Sequence, residues 1–160
     1  MFDRLKKSLQ KYIPFFFEPR TVPEKSSKEI FDINFEEFQK VIHYKIIDKN
    51  FFITALTHRS FLKVKTHTHK IGIISNERLE FLGDAVLDLV VAEYLFKNFP
   101  LNEEGDLTKF RSILVNKKFL AERAKNIKLQ EFMLASFTAM KSIEEGYDTI
   151  LSDAYEALVG

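Results

Sequence analysis

An all-α fold is the class this sequence predicts, on three observations. Apolar residues recur at helical spacing in several separate stretches. Helix punctuation stands where those stretches begin and end: Asn34, Ser75 or Asn76, and Pro100. No Val/Ile alternation reads as a strand, and there is no internal repeat or low-complexity tract.

The elements follow in order. Residues 1–12 read as a short basic helix stopped by Pro14, and residues 18–28, with two prolines and no apolar period, read as a linker. A basic N-terminal extension and linker over 1–30 therefore precedes a packed domain over 31–160. Asn34 is placed to cap a helix over 35–46, in which Phe35, Phe38, Val41, Ile42 and Lys45 share helical spacing. A second helix over about 50–57 leads into His58-Arg59-Ser60, and the polar stretch 63–75, with Gly72, reads as a loop. Ser75 or Asn76 then caps a long central helix, with Glu77 in its first turn where a negative charge suits the helix dipole. Past Pro100 and a loop over 101–105, Asp106 or Thr108 opens a helix running through Phe110, Ile113, Leu114, Phe119 and Leu120 to about Lys125. Residues 129–137 and 139–146 are short and ambiguous. The last helix is expected from about Asp148 to the end.

Composition narrows the function. With 160 residues, 46% of them apolar and 17 of them Phe, the chain fills a core without disulfides. Cysteine is absent, so a thiolate metal site and a disulfide framework are excluded. No apolar run approaches a membrane span, and the Tyr12–Phe17 patch is too short for a secretory core, so the expected address is the cytoplasm, with no membrane partner. Residues 1–28 carry seven Lys/Arg against three Asp/Glu, whereas residues 76–160 carry ten against fifteen. A basic front and an acidic back suit an anionic partner and divalent cations, although scattered surface charge accounts for most such imbalances.

The central helix is the informative element. Its residues are mostly apolar, so burial on most sides is expected, yet Glu77, Glu80, Asp84 and Asp88 fall within an arc of roughly 80°. Burying like charges without a counter-charge is costly, so the stripe either faces water or holds something cationic. Glu80 and Asp84 are four apart, and in the last helix Asp153 and Glu156 are three apart. Two such pairs facing each other form an all-oxygen cluster of the kind Mg²⁺ or Mn²⁺ prefers. Such a cluster can activate water for attack on a phosphodiester. Solvated acidic faces are the plain alternative, weakened here because the surrounding helix is built for burial. His67 and His69 lack a third ligand, and the basic residues Arg4, Lys6, Lys7 and Lys11 read as a solvated extension.

The stretch Asn76-Glu77-Arg78-Leu79-Glu80-Phe81-Leu82-Gly83-Asp84 resembles the signature motif of the ribonuclease III family of double-stranded-RNA endonucleases. Three further stretches agree with that family: Ala55 to Ser60; Glu104-Gly105-Asp106-Leu107 with Arg111, Leu114 and Val115; and Ser152 to Gly160. The resemblance covers about 34–160. It implies the all-α endonuclease-domain fold and metal-dependent hydrolysis of double-stranded RNA to 5′-phosphate and 3′-hydroxyl ends, in rRNA and mRNA precursor processing.

By the resemblance, Glu80, Asp84, Asp153 and Glu156 are metal-binding, with Asp84 and Glu156 catalytic. Mg²⁺ is the implied cofactor and Mn²⁺ a substitute for it. Glu77 and Glu104 match secondary acidic positions of the same valley, and Asp88 matches none. Phe81 matches an aromatic that inserts into the partner subunit of a homodimer, while Gly83, on the opposite flank, allows close helix packing. Bacterial members continue beyond the position of Gly160 into a double-stranded-RNA-binding domain, so a catalytic domain truncated at its C-terminal end is expected. The alternative is a non-cleaving RNA-binding or ribonucleoprotein scaffold on the same fold. A metal-storage bundle would want Glu-x-x-His pairs, and none is present.

Overall fold

Helical spacing and capping side chains build the chain seen in the computed structural model, which describes residues 33–64, 72–141 and 144–160. The N-terminal extension and linker, and His67 and His69, lie outside the described residues. In order the helices are α1 (Phe35–Ile42), α2 (Lys49–Leu56), α3 (Arg59–Val64), α4 (Glu77–Asn98), α5 (Glu104–Leu114), α6 (Lys117–Asn126), a 3₁₀ turn (Leu129–Glu131), α7 (Phe137–Met140) and α8 (Glu144–Val159). Among the described residues there is no strand, only one parallel bridge between Thr57 and Leu134. The fold is all-α.

Local chemistry explains where the elements stop. The Asn34 side chain accepts from the Glu37 N–H and opens α1. The helix ends at Ile42 instead of running to residue 46, because His43 turns left-handed (φ 51°) and the Gln39 side chain accepts the Ile46 N–H at 2.8 Å. Asp48 caps α2 through the Asn50 N–H. The single helix expected from about 106 to 125 is two. Asn116 adopts extended backbone and its side chain accepts the Phe119 N–H at 2.8 Å, which starts α6 afresh. The chain is also helical over Arg59–Val64, where the pattern predicts no helix, and α8 begins at Glu144, ahead of the expected start near Asp148.

The core is formed by Phe38, Leu56, Ala121, Ala124, Leu129, Phe132, Leu151 and Ala154. It lies around α8, which packs extensively on both α4 and α6. Here the structure corrects an expectation: α4 is not buried on most sides. Of its residues only Gly83 and Leu95 are buried. An all-round apolar helix is covered only where neighbours exist, and those of α4 are chiefly α8 and α5, with a smaller contact from α2.

Candidate metal site

The site is assembled where α4 crosses α8, and a glycine sets the distance between them. A Cβ on Gly83 would fall on the main-chain carbonyl of Glu156, and one on Gly160 would meet the main chain of Leu79 and Gly83. The two helices therefore touch backbone to backbone, closer than any side chain allows. The register of α4 is held at its start by Thr57, whose carbonyl accepts the Asn76 N–H at 2.9 Å. The Asn76 carbonyl in turn accepts the Glu80 N–H at 2.8 Å. Asn76 stands at the cap position but makes no side-chain cap bond; its side chain is buried, with Nδ2 unpartnered. The Ser75 hydroxyl instead donates to Glu77.

At this crossing Glu80, Asp153 and Glu156 each bring a carboxylate oxygen within 4.8 Å of the others. Glu156 is 7% exposed. Burial first, then the charges of Asp153, Asp84 and Glu80, push its carboxyl up to about 7. Glu80 is raised for the same leading reason, burial, followed by the Asp153 charge. Three like-charged oxygens drawn together, one out of water, form a hard all-oxygen donor set suited to a small divalent cation.

The remaining acidic positions lie around this trio in different ways. Asp84 is exposed and outside the 4.8 Å group, one turn along α4, yet its charge is felt at Glu156. Glu77 is exposed and pairs with Arg59 at 3.5 Å. Glu104 lies in the first turn of α5, accepts the Thr108 hydroxyl, and is not among the charges acting most on Glu80 or Glu156. Asp88 pairs with Arg111 at 3.8 Å. Phe81 is 82% exposed and takes no part in the core.

One neighbour of the trio carries no signal in the sequence as part of the site. Lys117, at the start of α6, places its Nζ 3.2 Å from Asp153 Oδ1. No local pattern announces that pair, since its members are 36 residues apart. His58 bonds within the fold: its main-chain N–H donates to the Leu134 carbonyl at 2.9 Å, and its Nδ1 lies 2.8 Å from Ser60 Oγ. Ser60 Oγ accepts the Ser136 N–H. Burial, and then the charge of Arg59, lowers the pKa of His58.

A helical domain with a carboxylate trio at a helix crossing is of the class that could hold a metal ion there, and comparison with known proteins gives its family. The family described as Ribonuclease-III-like matches residues 48–160. Ribonuclease 3 of Campylobacter jejuni serotype O:2 is 46% identical over 127 residues, covering 79% of this chain and 53% of its own length. Ribonuclease 3 of Aliarcobacter butzleri is 42% identical over 127 residues, again with 79% and 53% covered. Among solved structures, the nuclease domain of ribonuclease III from C. jejuni, described with structural flexibility in the region involved in dimer formation, aligns with TM-score 0.66 and 46% identity. That alignment covers 78% of this chain and 81% of the other. The chain belongs to the ribonuclease III family. It spans about half the length of the curated relatives it matches.

Proposed function

We propose that this chain is the catalytic domain, over about residues 31–160, of a homodimeric, metal-dependent endonuclease that cuts double-stranded RNA to 5′-phosphate and 3′-hydroxyl ends during rRNA and mRNA precursor processing. The observation that carries the reading is the trio Glu80, Asp153 and Glu156, with oxygens from two helices within 4.8 Å and one of them buried. A surface that served only to bind RNA, itself a polyanion, would gain nothing from such a cluster.

Glu80, Asp153 and Glu156 would hold Mg²⁺ or Mn²⁺, and Asp84, one turn away on the same stripe, would serve the same ion. The chemistry supplied by a divalent cation there is activation of water and stabilisation of charge on the phosphoryl oxygens. The protein's own part is to fix the carboxylates at the crossing of α4 and α8. Glu77 and Glu104 take secondary roles at the rim. Residues 1–30 form a basic extension to this domain.

Dimerisation draws on the exposed side of α4. Phe81, Ala85, Leu89 and Phe96 follow at helical spacing, and Phe81, Leu89 and Phe96 are each at least 70% exposed. A contiguous apolar strip of this kind marks an interaction surface. No described helix is long and apolar enough to cross a membrane.

Labelled duplex RNA incubated with the protein, with and without Mg²⁺ and beside Glu156→Ala, tests the proposal. Cutting that requires metal and disappears in Glu156→Ala is expected. Metal-dependent cutting that survives the substitution would remove Glu156 from the site, and binding without cutting would favour the scaffold reading.

A further inference from the structure

Lys117 is oddly placed for a helix-surface lysine. It is the first residue of α6, directly after the Asn116 cap, where the helix dipole disfavours a positive charge. Its ammonium turns to the acidic trio, 3.2 Å from Asp153 Oδ1. Its charge opposes the upward shifts of both Glu80 and Glu156, so it acts on all three carboxylates. The backbone beneath it is well anchored, because Leu120, Ala121 and Ala124 of α6 are buried and α6 packs along α8, which carries Asp153. The side chain itself is 61% exposed, and Asp153 is 17% exposed. An ion pair with one partner so open to water is weak and easily exchanged.

We propose that Lys117 is the resident counter-ion of the acidic trio, and that a divalent cation must displace its ammonium from Asp153 in order to bind. This rests on the metal-site reading given above. A doubly charged ion among Glu80, Asp153 and Glu156 competes for the same carboxylate and repels the ammonium at short range. Lys117 therefore weakens metal affinity while the site has no RNA. Once displaced, the ammonium remains tethered at the rim of the site, where an RNA phosphate is a replacement partner. Duplex RNA and metal then favour each other's binding through this one side chain.

The test is titration of the full chain with Mn²⁺, following free Mn²⁺ by electron paramagnetic resonance, with no cleavage readout. Wild type is compared with Lys117→Gln, Lys117→Arg and, as a control for net charge, Lys118→Gln on the same turn. Removing a unit charge at this distance from a partly screened site should tighten Mn²⁺ binding by roughly 3- to 10-fold in Lys117→Gln. Lys117→Arg should stay close to wild type, and Lys118→Gln should change affinity by less than about 2-fold, as a screened surface charge does.

Equal affinities in Lys117→Gln and Lys118→Gln would overturn the inference while leaving the metal site standing. Weaker binding in Lys117→Gln would also overturn it, showing that the lysine holds Asp153 in place for the metal. A wild-type chain that takes up no Mn²⁺ would bring down the metal reading and this inference together.

Discussion

Glu156→Gln should make the protein more stable and less active, and the gain in stability should depend on pH. Glu156 sits 7% exposed among Asp153, Asp84 and Glu80, which, after burial, raise its carboxyl from the ordinary 4.5 to about 7. The folded state thus binds more protons than the unfolded chain between those values, so this group's contribution to stability is complete below about 4.5 and is lost as pH rises through about 7. At about 1.4 kcal/mol per pH unit between 4.5 and about 7, the repulsion and desolvation carried by the ionised group amount to at most about 3.5 kcal/mol. Glutamine keeps the shape and removes the charge, at some cost for amide hydrogens that find no partner. A net gain of about 1–3 kcal/mol at pH 8.5 is expected, shrinking to near zero or below at pH 5. For a domain of this size that corresponds to a rise in Tm of roughly 3–9 °C at the higher pH. Thermal unfolding of both proteins in EDTA at the two pH values reads it directly. A substitution that destabilises at pH 8.5, or a difference that does not change with pH, would refute the electrostatic account of the site.

Two further outcomes follow from the packing. Gly83→Ala places a methyl group on the Glu156 carbonyl, and since main chain cannot rotate aside as a side chain can, destabilisation beyond about 3 kcal/mol is expected in denaturant unfolding. An unchanged midpoint would mean that α4 and α8 do not meet at this distance. Leu89→Glu puts a charge in the exposed apolar strip of α4, and sedimentation should show a dimer for wild type and a monomer for the variant, with the fold intact by circular dichroism. A variant that still sediments as a dimer would place the interface elsewhere.

The helices whose caps and apolar period agree are readable from sequence. Asn34 with Phe35, Phe38 and Val41 is one such case, whereas Asn76 marks where the long helix starts without capping it. Boundaries escape the pattern where a side chain offers the backbone another partner. Gln39 ends α1 early by taking the Ile46 N–H, and Asn116 divides the expected 106–125 helix by capping a new one. The exposure of α4 departs from expectation for a different reason: composition tells how greasy a helix is, not how many neighbours cover it. In the site, spacing alone places Glu80 beside Asp84 and Asp153 beside Glu156. The resemblance, not the spacing, suggests that the two pairs meet. Which of the four lie closest depends on the α4–α8 crossing, and Asp84 stands apart from the trio. Lys117 could not be anticipated, because an ion pair across 36 residues leaves no periodic trace.

The backbone contact at Gly83 and Gly160 has a further consequence for how such a site comes into being. Glu80 and Glu156 are 76 positions apart, so the unfolded chain holds no pre-formed nest for a cation. The site exists only when two main chains touch, and the same touch forces three carboxylates into mutual repulsion. Close packing therefore acts as a clamp on an arrangement that electrostatics alone would open. A cation that binds only the closed form would relieve the clamp's load and raise the free energy of unfolding in proportion to the logarithm of its concentration. Cofactor supply and fold stability would then be read out at one helix crossing.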